Sequence, residues 1–215
     1  MQPSIPSQWD RINLGKWAAP VARLPSVAAA MLAAPSLTFD PYDLAFQGQV
    51  QRTTYFDDAD FDLRAAKKKG KRYLTLRVQC YEGLDGEAYA VSAKTESQKF
   101  RVDVDPDLGE QIAVGEAVPE LIALLPADLQ ARLSELTDDQ PLAPVAQTAY
   151  RRFAVQDDRD RLTLDVDVAT DGGKRLHYGV LEWKSTADGA EVPAPVAALN
   201  LRPLKLSKFL WATAV

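Results

Sequence analysis

The chain reads as an α+β protein built on an antiparallel sheet, and three features carry that reading. Several short stretches alternate apolar and polar residues with a period of two, most cleanly Tyr73 to Tyr81 and Arg161 to Val168. Turn-rich links such as Asp171-Gly172-Gly173 join them, and such short links suit antiparallel neighbours. In the middle of the chain the apolar spacing changes to three and four, as helices require. The count is about seven or eight strands, with helices inserted in two or three places.

Met1 to Gln8 carries two prolines and two serines and is expected to be a loose lead-in to a single domain over residues 9–215. Asp10 to Trp17 is a short first strand. Ser26 has the chemistry of an N-cap for a helix over Val27 to Ala34, ended by Pro35. Pro35 to Leu44 is a loop. Gln47 to Phe56 is rich in β-formers and closes in the acidic stretch DDADFD, followed by a short helix over Leu63 to Lys69 and an exposed KKKGK turn. Tyr73 to Tyr81, Tyr89 to Thr95 and Lys99 to Asp105 are strands. Val118 to Leu125 and Ala127 to Leu136 are helices meeting at Pro126. Strands resume over Pro144 to Val155, Arg161 to Val168 and Tyr178 to Ser185. A brief helical piece over Ala194 to Leu199 precedes the closing LRPLKLSKF.

The totals exclude several classes. A formal charge of -5 argues against a broad nucleic-acid footprint, so any anion site must be a local gathering of Lys and Arg. One cysteine, Cys80, excludes an internal disulfide and a cysteine-based zinc site, and a reducing, cytoplasmic setting is the default. No basic region followed by an apolar run opens the chain, and no apolar run approaches the roughly 20 residues of a spanning helix. His177 has no partner motif and Cys80 alternates with core residues, so both read as structural. Asp57, Asp58, Asp60 and Asp62 lack the glycine and terminal glutamate of a calcium loop and read as a hairpin turn.

Each alternating strand has an apolar and a polar face, and the polar faces hold Arg77, Lys94, Arg101, Arg152, Arg161 and Lys184. Alternation alone leaves two arrangements open. The polar side faces water, or the sheet closes and the charges line a wet tunnel able to take a chain of phosphates. Glu182 and Lys184, two apart on one strand, and Lys205 and Lys208 beyond them form the densest local cluster.

Taken in order, these segments resemble the VTC domain, the polyphosphate-polymerase domain of the vacuolar transporter chaperone family, within the CYTH-like triphosphate tunnel metalloenzyme superfamily. The resemblance begins at TTYFDDADFDL, similar to the family's Y-F-D-T…L segment. LRVQCYEG is similar to L-R-x-R-x-Y-G, and VSAKT to V-E-x-K-T. Further on, PLAPVAQTAYRRFA resembles R-P-V…Y-x-R-x-A, RLTLD resembles R-x-T-x-D, VLEWK resembles V-L-E-x-K, and LKLSKF resembles K-x-S-K-Y/F. The resemblance implies an antiparallel β-barrel tunnel with helices outside it. It further implies that Arg77, Lys94, Arg152, Arg161, Lys205 and Lys208 are phosphate ligands, with Lys184 beside them at the nucleotide. Lys16 stands for the lysine of an early E-x-K strand, and Glu182 for the ligand of Mn²⁺ or Mg²⁺.

The implied activity is transfer of the γ-phosphoryl of ATP to a growing inorganic polyphosphate chain. A membrane-protein partner subunit is implied as well, placing the chain at the periphery of a membrane complex. Three positions depart from the family pattern: Gln79 stands for an arginine, Ser92 for an acid and Leu14 for a glutamate. These departures keep open a sensor or accessory subunit that binds polyphosphate or nucleotide without polymerising it, and a triphosphate hydrolase.

Overall fold

The computed structural model describes residues 12–34, 38–39, 48–70, 72–83, 86–157, 159–187 and 190–214. The lead-in expected before residue 9 lies outside them, as does most of the loop expected after Pro35. The described residues fall into two compact units: one from Met1–Gln49, Tyr150–Val168 and Arg175–Lys205, the other from Val50–Ala149, Ala169–Lys174 and Leu206–Val215.

In the first unit, β1 (Ile12–Pro20) pairs antiparallel with β9 (Tyr178–Ser185), and β9 with β8 (Asp160–Thr170). The short β10 (Arg202–Pro203) lies on the other side of β1, and the two-residue β2 (Thr38–Phe39) pairs with the end of β7 (Ala143–Gln156). One face of these strands is apolar. Leu162, Leu164, Leu181 and Trp183 are almost wholly buried there, with Val27 and Met31 of α1 (Leu24–Leu32) and Val196 of α6 (Ala194–Ala197) in the same cluster. Burying such side chains contributes roughly 1.5 to 3 kcal/mol each. A Cβ on Gly15 would lie 2.1 Å from the Trp17 indole, so only glycine lets that ring fold back over the strand at the β1 bulge.

The second unit holds β3 (Gln49–Asp57) from Val50 onward, β4 (Thr75–Gly83), β5 (Gly86–Lys94) and β6 (Lys99–Val104), paired antiparallel in sequence order. Their apolar face carries Leu76, Val78, Val91 and Ala93. Five helices share its core: α2 (Asp62–Lys69), α3 (Pro106–Val114), α4 (Val118–Ala123), α5 (Ala127–Thr137) and, through Phe209, α7 (Lys208–Ala212). The strand order along the sheet is β10-β1-β9-β8-β7-β3-β4-β5-β6, with β2 off this path. Nine strands therefore form an antiparallel sheet that is not closed among the described residues, where a closed barrel of about eight was expected. One end of the path is a two-residue strand containing Pro203, which has no N–H to continue a ladder.

Three local expectations need correction. α1 starts at Leu24 with Pro25 in its first turn, so Ser26 sits inside the helix and does not cap it. The lysine run is the last turn of α2, stopped by Gly70 at φ 74°, and the three ammonium groups there face the negative end of the helix dipole. Helices α3 and α7 (Lys208–Ala212) were not anticipated. Both have side-chain caps: the Asp105 carboxylate accepts from Asp107 N–H at 3.0 Å, and the Ser207 hydroxyl from Leu210 N–H at 3.4 Å.

The aspartates after β3, expected as a hairpin turn, instead organise the entry to α2. The fully buried Asp57 carboxylate accepts from the N–H groups of Asp58, Leu63 and Arg64 at 3.0, 2.9 and 2.9 Å. Asp58 accepts from those of Asp60 and Asp62. Burial pushes Asp57 up to about 6, against the opposing pull of its three N–H donors. A raised folded-state value means that the folded chain holds this proton longer than the unfolded one. Its stabilising contribution is complete below about pH 4 and is lost as pH rises through about 6. Denaturant titrations of wild type and Asp57→Asn at both ends of that window are expected to show wild type losing about 1 to 2 kcal/mol relative to the variant as pH rises. A pH-independent difference would count against this assignment.

Candidate functional site

In the first unit the strand registers set Lys16 opposite Glu182, Glu182 opposite Thr163, and Lys184 opposite Arg161. Cross-strand partners share a face, so these five residues lie on the side of the sheet turned away from Leu181 and Trp183. Asp165 continues the same alternation. Arg152 reaches it from β7 as a bidentate pair, Nε at 2.6 Å and Nη2 at 2.8 Å from its two oxygens. The face is only partly open to water: Asp165 is 2% exposed and Thr163 3%, while the side chains of Lys16, Glu182 and Lys184 keep 24, 14 and 27%.

Glu182 is clasped from two sides, by Lys16 Nζ at 3.3 Å and by Lys184 Nζ at 3.2 Å. Its carboxylate is the strongest single influence on Lys184 and pulls it upward, yet burial together with the positive Arg152 and Arg161 carries that ammonium below the usual lysine value. Burial also works against the Arg152 charge. The Asp165 carboxylate more than compensates and holds the guanidinium well above its ordinary value.

In the second unit, Arg77 pairs across strands with Ser92, Ser92 with Arg101, and Lys94 with both Thr75 and Lys99. Arg77 Nε donates to the Ser92 hydroxyl at 2.9 Å, and that hydroxyl donates to Gln79 Oε1 at 3.2 Å. Arg101 donates to the Tyr81 hydroxyl and to Asp103, both at 3.1 Å. Phe209 of α7 stacks at 5.4 Å on Tyr55, the strand partner of Arg77, so the helix that carries Lys208 rests beside that row.

The sequence-predicted residues thus gather as two sets. Lys16, Arg152, Arg161, Glu182 and Lys184 share one face of the first unit, and Arg77 and Lys94 share one face of the second. Lys205 is exposed just after β10, in a segment held to β1 by the Leu204 N–H on the Lys16 carbonyl at 2.8 Å. Thr163 and Lys99 were not singled out from the sequence, although their alternation with Arg161 and Arg101 puts them in line. The buried hydroxyls of Thr163 in the first unit and of Thr53, Thr75 and Thr148 in the second have no hydrogen-bond partner among the described residues. A cavity of about 440 Å³ lies farther along the β1–β9 pair, lined by Ala18, Pro20, Arg23, His177, Tyr178, Asn200, Leu201 and Arg202. His177, read as structural, is an exposed wall of that cavity.

A divalent metal on Glu182, as the resemblance implies, requires oxygen donors. Mg²⁺ and Mn²⁺ prefer six, of which one or two carboxylates usually come from protein. Both oxygens of Glu182 face ammonium groups, and those of Asp165 are taken by Arg152. Among the described residues no three of His, Cys, Asp or Glu gather as a metal-holding group. A divalent ion about 4 Å from one ammonium is repelled by about 8 kcal/mol at an effective dielectric constant of about 20. The described residues do not fit a resident metal.

Proteins of this fold are found among solved structures. The chain aligns with a candidate adenylate cyclase from Bacillus halodurans at TM-score 0.57 and 14% identity, covering 93% of this chain and 96% of that one. A protein from Pyrococcus horikoshii OT3 aligns at 0.56 and 12%, covering 91% of each chain. A candidate adenylyl cyclase from Hippeastrum, described as having a dominant triphosphatase activity, aligns at 0.53 and 12%, again covering 91% of each. At such identities the likeness is one of fold alone. The family is more specific: the VTC domain model matches residues 28–214, and the chain belongs to that family. No curated protein matches the chain. No helix among the described residues is long and apolar enough to cross a membrane.

The Arg152–Asp165 pair is expected to behave as a buried ion pair. Asp165→Ala, which leaves the guanidinium without its carboxylate, should cost about 3 to 5 kcal/mol in chemical denaturation. A loss under about 1 kcal/mol is what a water-screened pair would give.

Proposed function

We propose that the chain binds a linear phosphate chain, inorganic polyphosphate or the triphosphate of ATP, along its cationic sheet faces. The observation that carries this reading is the face in the first unit, where Lys16, Arg152, Arg161 and Lys184 outnumber Glu182 and Asp165 on strands largely withdrawn from water. Like charges crowded into a poorly solvated place are costly unless an anion completes them. Arginine forks match phosphate oxygens two at a time, and the lysines act as mobile point charges. The partnerless threonine hydroxyls are donors of the kind phosphate oxygens accept.

A second reading, transfer of the ATP γ-phosphoryl to the growing end of a polyphosphate chain, is favoured by membership of the VTC domain family. Such transfer asks the protein mainly for charge neutralisation and in-line positioning. Under this reading Arg77, Lys94, Arg152, Arg161, Lys205 and Lys208 grip the reacting phosphates, and a membrane-protein subunit is a natural partner for an enzyme whose product is a long polyanion.

Calorimetric titration with tripolyphosphate tests the binding reading. Wild type is expected to bind, and Arg161→Ala to bind about 10- to 100-fold more weakly, the loss of one charge-assisted contact. Equal affinities would remove Arg161 from the site. Incubation with ATP and Mn²⁺ separates the two readings: ADP appearing with long phosphate chains establishes transfer, while binding without product leaves a receptor.

A further inference from the structure

Triphosphate-tunnel proteins generally work with divalent metals, and the acidic groups of this chain depart from that requirement in one consistent direction. Leu14, where the family pattern has a glutamate, packs against the apolar cluster of the first unit. Glu182 is neutralised by two lysines and Asp165 by a bidentate arginine. In the second unit Ser92, where the pattern has an acid, is 2% exposed and bridges Arg77 to Gln79. Gln79 itself replaces an arginine. The two departures therefore form one neutral pair in contact: a positive and a negative charge are absent together, and the serine hydroxyl still orients the Arg77 guanidinium. Asp103, the remaining acid of that row, is paired with Arg101 at 3.1 Å.

We infer that this chain holds its phosphate chain without a divalent metal, through arginine and lysine alone, with Glu182 acting as an internal counter-ion that keeps Lys16 and Lys184 side by side until an anion displaces it. The inference rests on the phosphate-chain reading above. It separates this chain from metal-assisted relatives by the chemistry of the bound species: free polyphosphate or tripolyphosphate, not its metal complex. A metal-complexed phosphate chain carries less negative charge, and the crowded cations favour the uncomplexed polyanion.

The test is tripolyphosphate titrated into the full chain in EDTA and again with Mn²⁺ replacing the chelator, together with Mn²⁺ titrated alone. Affinity is expected to be at least as tight in EDTA, and Mn²⁺ alone is expected to give no stoichiometric binding. Affinity lower by about tenfold or more in EDTA would overturn the inference while leaving the phosphate-chain reading intact. Absence of binding under both conditions would sink the phosphate-chain reading and the inference with it. Glu182→Gln supplies an independent arm. A counter-ion role predicts affinity in EDTA tighter by about threefold or more, because both lysines are released to the ligand, whereas a drop of about tenfold would contradict that role.

Discussion

Charge on a sheet face that has little access to water is the constraint from which the other features of this chain follow. In each unit one face of the strands is committed to an apolar core, with Trp183 and Leu181 in the first and Leu76 and Val91 in the second. The opposite face therefore has to take every polar residue that a period of two delivers. Those residues are not the short neutral ones that make a half-buried face cheap. They include Lys16, Arg152, Arg161 and Lys184 in one unit and Arg77 and Arg101 in the other, where Lys94 at the end of its strand is exposed. Glu182, Asp165 and Asp103 offset part of that charge, and the remainder is the charge that the phosphate chain proposed above would neutralise.

The same constraint accounts for the local chemistry. Lys184 is carried below its ordinary value although it touches a carboxylate, because burial and two guanidinium groups outweigh one partner. Asp165 continues the same alternation, and both of its oxygens are held by Arg152. Where the acidic residues are lost, the arginines keep their orientation by neutral means, as the Arg77–Ser92–Gln79 chain does.

Much of this was legible in the residues. The strands of Tyr73 to Tyr81 and Arg161 to Val168 followed from alternation alone, and the polar-face positions of Arg77, Lys94, Arg101, Arg152, Arg161 and Lys184 from the same pattern. Helix α3 escaped notice even though Asp105, Pro106 and Gly115 punctuate it at both ends. Near its middle is Gly109, present because a Cβ there would lie 2.3 Å from Tyr89, and that glycine masks the helical periodicity. Helix α7, of five residues, is too short to display a period. Which face of the sheet meets water is a tertiary property that alternation does not encode. The partnerships of Asp165 with Arg152 and of Ser92 with Arg77 depend on which strands become neighbours. Gln79 and Ser92 read separately as two losses, and only the strand register shows them to be a single exchange.

The account rests on the cationic faces being incomplete without an anion, and thermal unfolding at low ionic strength tests that most directly. A ligand that binds only the folded chain raises its melting temperature by mass action. Tripolyphosphate at millimolar concentration is expected to raise the melting temperature by about 4 to 8 °C, with orthophosphate at equal ionic strength raising it by far less. An identical melting temperature with and without tripolyphosphate would contradict the account.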